Sequence, residues 1–194
     1  MFNLKYCNKL IMVTVVLLAV CGTTSVCAES STTNDDKTFS RYVDSAGNIK
    51  LPEDFRRTMV HLGSWFVPEG GASGFHDVYA DAAAVDGYRS TGKWQDGATI
   101  VKELRAAASG QYTTGKGVSH ATNEIKQWFV MVKDSKGRFP KNPNWGDGWG
   151  WALVKTDDTT KNVSTDYKKD CLGCHVPAKQ TDWIYVEGMP TLTK

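Results

Sequence analysis

The pentapeptide Cys171-Leu172-Gly173-Cys174-His175 constrains this chain of 194 residues more than any other stretch. On one turn of helix the two thiols can reach the two vinyl groups of one porphyrin, and the adjacent imidazole is placed over the iron as proximal ligand. Two other uses of Cys-x-x-Cys compete. A thioredoxin-like redox pair favours a βαβ context and does not need the histidine. Half of a zinc site needs two further ligands at similar spacing, and no other cysteine survives processing. The motif therefore predicts one covalent haem c, bonded to Cys171 and Cys174, with His175 as the metal ligand.

The processing is legible at the other end. Lys5 and Lys9 precede an apolar run, Leu10 to Val20, broken only by Thr14, and Val26-Cys27-Ala28 ends in a small residue. Residues 1–28 thus read as a secretory signal cleaved near Ala28, with a run too short for a membrane span. A lipoprotein reading at Cys21 is disfavoured because Val20 stands where a small residue is wanted. Cys7, Cys21 and Cys27 leave with the signal. An exported protein usually spends its cysteines on disulfides; this one keeps only the two in the motif. The expected location is the periplasm. Removing Lys5 and Lys9 leaves 21 basic against 21 acidic residues. There is no basic stripe, and so no electrostatic case for nucleic acid or an anionic membrane.

Residues 29–48 are polar and read as a flexible N-terminal arm; residues 49–194 read as one haem-binding domain. Pro52 marks a short helix start. Strands are expected over Thr58–Val67, Phe75–Ala80, Ala98–Ala108, Glu124–Asp134, Trp149–Lys155 and Trp183–Val186. Asp81 is expected to cap a short helix that stops at Gly92, and Thr165–His175 is expected to be helical. In Glu124–Asp134, Trp128, Val130 and Val132 face one way while Phe129 and Met131 face the other. The fold class is mainly β: an antiparallel, curled or barrel-like sheet with a few short helices, in a single domain. Most soluble c-type cytochromes are small helical proteins, so the strands narrow the field.

Side chains two apart on a strand share a face, so Lys102 lies with Ile100 and Leu104 on an apolar face where lysine is rare. Either it snorkels to a rim, or it is desolvated, and a neutral amine is a nucleophile able to attack an oxidised haem edge. The face Gly148-Gly150-Ala152 admits either a flat group or tight sheet packing opposite Trp149 and Trp151. A sixth iron ligand could come from His61, His76, His120, Met59, Met131 or Met189, and none lies in a ligand pattern. A vacant sixth site would mean small-molecule chemistry.

Five blocks in this order, FHDVYAD (Phe75–Asp81), TGKWQDGATIVKEL (Thr91–Leu104), VKDSKGRF (Val132–Phe139), GWGWAL (Gly148–Leu153) and CLGCH, make the chain resemble the cytochrome P460 family from about Leu51 to Leu192. The resemblance implies a mainly β fold, usually a homodimer, with a five-coordinate haem c and an open distal pocket. In members that oxidise hydroxylamine, to nitrous oxide or nitrite, the lysine matching Lys102 is cross-linked to the haem. This chain departs from those members twice. His76 stands where they have arginine, and Phe129 where they place a proton-accepting glutamate, whose general-base help is typically worth roughly 10²–10⁴-fold. A phenylalanine over the iron is similar to the sister group, the β-sheet cytochromes c′, which bind nitric oxide and carbon monoxide and lack the cross-link. The leading expectation is an oxidoreductase acting on hydroxylamine or nitric oxide through Lys102, His76 and Phe129, with a soluble redox protein as electron acceptor. The alternative is a non-catalytic gas-binding haem protein. A plain six-coordinate electron carrier ranks third.

Overall fold

The computed structural model describes residues 39–193. The expected leader and the first part of the arm, up to residue 38, lie outside the described residues. The elements in chain order are α1 (Phe55–Thr58), β1 (Val60–Val67), β2 (Gly74–Ala80), α2 (Ala82–Thr91), β3 (Thr99–Tyr112), β4 (Gly115–Lys133), β5 (Trp145–Gly146), β6 (Trp149–Lys155), α3 (Tyr167–Asp170) and α4 (Leu172–His175). Two 3₁₀ segments, Val176–Thr181 and Pro190–Leu192, complete the chain. The strands form one antiparallel sheet in the order β1-β2-β3-β4-β6-β5. It is mainly β, as expected, but the sheet stays open rather than closing into a barrel. Among the described residues no helix is long and apolar enough to cross a membrane.

Both faces of the sheet are covered, which is why β4 is apolar at successive positions instead of alternating with polar ones. Val101, Trp128, Val130, Val132, Ala152 and Val154 point to one side, against Ile49, Phe55 and Met59. Ala80, Ile100, Met131 and Trp151 point to the other, against α2 and the C-terminal segment. Each aliphatic side chain buried this way contributes about 1.5–3 kcal/mol.

Four local expectations are corrected. From Phe39 onward the arm is packed: Phe39 lies against Phe139 and Trp145, and the Trp145 indole N–H donates to the Gly47 carbonyl at 2.8 Å. Its composition is polar, but its few aromatic residues find the open sheet face. Asp81 does occupy the N-cap of α2 without a side-chain capping bond, and Gly92 ends the helix at φ 71°, as read. The third and fourth strands run on into a long hairpin, whose pairing resumes after irregularities at Arg105 and Gly110 and continues to the turn at Tyr112–Gly115. The helix expected over Thr165–His175 is two four-residue turns broken at Cys171 (φ −128°). The Asp166 carboxylate caps the N–H of Lys168 at 3.0 Å, so the first turn begins only at Tyr167. Lastly, Trp183–Val186 is not a strand. Asp182 and Trp183 both adopt left-handed φ values, 59° and 67°, a conformation costly for a bulky residue and concentrated at functional sites.

Candidate functional site

The antiparallel register puts opposite residues on the same sheet face. One such row is Val78, Lys102 and Phe129; the next on either side are Ala80, Ile100 and Met131, and His76 with Leu104. Apart from Ala80, the residues of these rows form one wall of a cavity of about 420 Å³. Cys171, Cys174 and His175 also line it, although they come from a segment some seventy residues later than Lys102 in the chain. The sequence-named residues Lys102, His76, Phe129, Cys171, Cys174 and His175 are thus brought to one place. Of the other ligand candidates, Met131 and Met189 line the same cavity. His61 instead bonds Ser64 and packs on Tyr79, His120 sits with Tyr112 on the exposed hairpin, and Met59 belongs to the opposite core.

His175 is held in a defined state. Its Nδ1 lies 2.6 Å from the Trp183 carbonyl oxygen. A carbonyl only accepts, so Nδ1 carries the proton and Nε2 keeps its lone pair. Burial lowers the pKa of His175 to about 4. The ring is therefore neutral at pH 7. A neutral imidazole whose second nitrogen donates to a carbonyl is what an iron ligand requires. The left-handed turn at Asp182 and Trp183 aims that carbonyl, and it is anchored by Lys133, whose Nζ lies 2.7 Å from Asp182, and by the Trp149 indole donating to the Asp182 carbonyl at 3.0 Å. The break at Cys171 leaves that thiol buried and Cys174 exposed, and both thiols are free.

The expected haem fits these residues. The cavity is of ligand size and largely apolar, and it presents two free thiols and one orientated imidazole. Among the described residues no three His, Cys, Asp or Glu side chains converge as a metal cluster.

Lys102 does not snorkel. Desolvation pushes its pKa below the usual 10.5, and the surface it keeps is cavity surface. Its Nζ rests 4.1 Å from the centroid of the Phe129 ring. Asp170 is the only acid among the described residues of the lining, and its carboxylate is turned back onto Ser164 and the N–H of Thr165. The His76 Nε2 donates to the Ala72 carbonyl at 2.7 Å, which makes Nδ1 the accepting atom; burial lowers its pKa below 6.5, so the ring is neutral at pH 7.

The glycine face resolves toward packing. A Cβ on Gly150 would lie 2.6 Å from the Trp145 ring, so this glycine admits an indole. The cavity side of β6 is Trp151, which meets the His175 ring edge-on at 5.0 Å. Sequence reasoning missed Trp151, the Trp183 carbonyl and Tyr185, whose hydroxyl donates to the Cys174 carbonyl at 2.7 Å. The GWGWAL block was the available signal for Trp151; the carbonyl left no signal in side-chain identity.

The family model described as Cytochrome P460 matches residues 52–186 of the chain. A search of curated proteins finds no match.

Proposed function

The chain belongs to the cytochrome P460 family, whose members take a haem, and from that premise we propose an exported mono-haem c oxidoreductase acting on hydroxylamine or nitric oxide. Cys171 and Cys174 would tether the haem by thioether bonds, and His175 would bind its iron through Nε2. When bound, the haem would supply an iron able to take a small nitrogen ligand and to pass electrons onward to a soluble redox protein. The protein acts as a homodimer in the periplasm.

One observation carries the catalytic reading. Lys102 sits in the cavity, desolvated, with no carboxylate partner among the described residues. A surface lysine would be protonated and inert; this one has its neutral form favoured, as an amine that bonds a porphyrin edge must be. His76 supplies a neutral ring whose Nδ1 can take a proton from bound substrate, in place of the missing glutamate. Phe129 and its apolar neighbours keep bulk water from the reacting atoms. Intact mass and the visible spectrum of the purified protein test the lysine. An unmodified haem c spectrum, without a red-shifted ferrous Soret band, removes the cross-link. Hydroxylamine turnover no faster than that of free haem, with an electron acceptor present, ends the catalytic reading.

The Phe129 ring favours a second reading, a gas-binding protein. Its mark is ferrous haem that takes up nitric oxide or carbon monoxide while hydroxylamine is left unchanged.

A further inference from the structure

A continuous line of aromatic rings leads away from His175. Trp151, 1% exposed, meets the imidazole at 81° with ring centroids 5.0 Å apart. Tyr167, itself buried, is stacked on Trp151 at 5.6 Å and 16°. The Tyr167 hydroxyl donates to the Asp147 carboxylate at 2.9 Å, and Asp147 is exposed. The line is fixed at both joints. The Trp151 indole N–H donates to the Gly146 carbonyl at 3.2 Å, and a side chain on Gly146 would collide with the Tyr167 hydroxyl. Chance packing of aromatics explains a stack; it does not explain a stack that ends on a solvent-facing base.

We propose that Trp151 and Tyr167 form a one-electron relay between the haem and the surface at Asp147, through which the protein reduces peroxide without damage to its cavity. The proposal rests on the reading of His175 as iron ligand. Hydrogen peroxide takes two electrons and two protons and leaves as two waters, with both protons drawn from solvent. One electron would come from the haem, which is left oxidised by one electron. The other comes from Tyr167 through Trp151, and the phenol proton passes to the Asp147 carboxylate as the electron leaves. The product is a neutral tyrosyl radical beside a protonated Asp147; two one-electron reductants at the surface restore the haem and the phenol, which takes its proton back from Asp147.

The carboxylate decides between two exits. Tyr185 also lies near His175, with centroids 6.3 Å apart, but its hydroxyl donates to the Cys174 carbonyl, which is too weak a base to keep a proton. Tyr167 alone pairs its proton with a carboxylate. Burial and that hydrogen bond push the Tyr167 pKa up to about 12, so the phenol is intact at neutral pH and its proton must leave with the electron. Lys168, with Nζ 5.9 Å from the Tyr167 ring centroid, opposes the oxidation, but it is exposed and solvated and the Asp147 oxygen is closer.

The experiment is freeze-quench electron paramagnetic resonance on the ferric holoprotein mixed with hydrogen peroxide. Haem content is fixed beforehand by Soret absorbance and intact mass. A sample without haem overturns the site reading itself, separately from the relay. The expected result is a tyrosyl signal whose hyperfine splitting collapses when the protein is grown on ring-deuterated tyrosine, a check that needs no substitution. Tyr167→Phe loses the signal, Trp151→Phe loses most of it, Asp147→Asn delays it, and Tyr185→Phe leaves it unchanged. No organic radical in haem-loaded protein overturns the relay. So does a signal that survives Tyr167→Phe, or one that disappears only in Tyr185→Phe.

Discussion

Glu103 is fully buried on the sheet face opposite the cavity, directly beside Lys102 in β3, and its carboxylate serves three donors. Arg56 binds it in a two-pronged pair, the Trp128 indole donates at 2.9 Å, and the Arg105 Nε lies 3.5 Å away. Replacing Glu103 by leucine removes the acceptor while keeping an apolar volume. Arg56, whose side chain is 49% exposed, returns to water, and Arg105 keeps Asp77 at 2.8 Å. The Trp128 N–H has no such retreat. Leaving one buried donor unpaired costs about 1–3 kcal/mol, and because both arginines keep water or another carboxylate, no buried charge is stranded to add to it. For a domain of this size, each kcal/mol lowers Tm by roughly 2–4 °C, so Glu103→Leu should melt roughly 5 °C below the parent. Circular dichroism melts at matched haem content measure this. Adding Trp128→Phe should recover part of the loss, because the orphaned donor is removed as well; pairs in contact couple by about 0.5–3 kcal/mol. A melt within about 2 °C of the parent, or strictly additive losses in the double variant, would refute the claim that the carboxylate is there to satisfy these donors.

Three further outcomes follow from other parts of the molecule. Gly150→Ala forces a Cβ against the Trp145 ring, and overpacking of that kind should cost about 1–3 kcal/mol in urea melts. Asp96 is held below its usual pKa of 3.8 by the Arg138 side chain, so it binds fewer protons folded than unfolded as pH falls from about 3.8 toward its lowered value. The stability it contributes is present above that range and lost across it, and Asp96→Asn should flatten this part of the acid limb in melts recorded from pH 5 to pH 2. Phe129→Ala removes the ring beneath Lys102 and widens the cavity; stopped-flow mixing of the ferrous protein with carbon monoxide should then give a faster on-rate, and an unchanged rate would place Phe129 away from the ligand path.

Much of the site could be read one residue at a time. The alternation that put Lys102 with Ile100 and Leu104, and Phe129 with Met131, holds because strand geometry is a local rule with period two. The Cys-x-x-Cys-His spacing is likewise local. One misreading and one reading left open were both decided by packing. Trp183–Val186 has the apolar and aromatic content of a strand, yet the left-handed φ values of Asp182 and Trp183 break an extended run at its start, and the His175 Nδ1 donates to the Trp183 backbone carbonyl. The glycines of GWGWAL were compatible with a flat ligand or with tight packing, and it was Trp145, paired with Gly150 across β5 and β6, that filled the space.

The chain's sequence alone determined its chemistry: which atoms can bond a porphyrin, which nitrogen type can bind its iron, and which strand face carries an amine. Those follow from residue identity and short spacing, and they hold whatever the rest of the chain does. Only the tertiary structure decided that Lys102, Phe129 and His76 share a cavity with His175, that the imidazole is neutral with its free nitrogen at Nε2, and that Trp151 stands at its edge. Each of those depends on desolvation or on a backbone group contributed from far along the chain, and neither has a signature until the sheet is assembled.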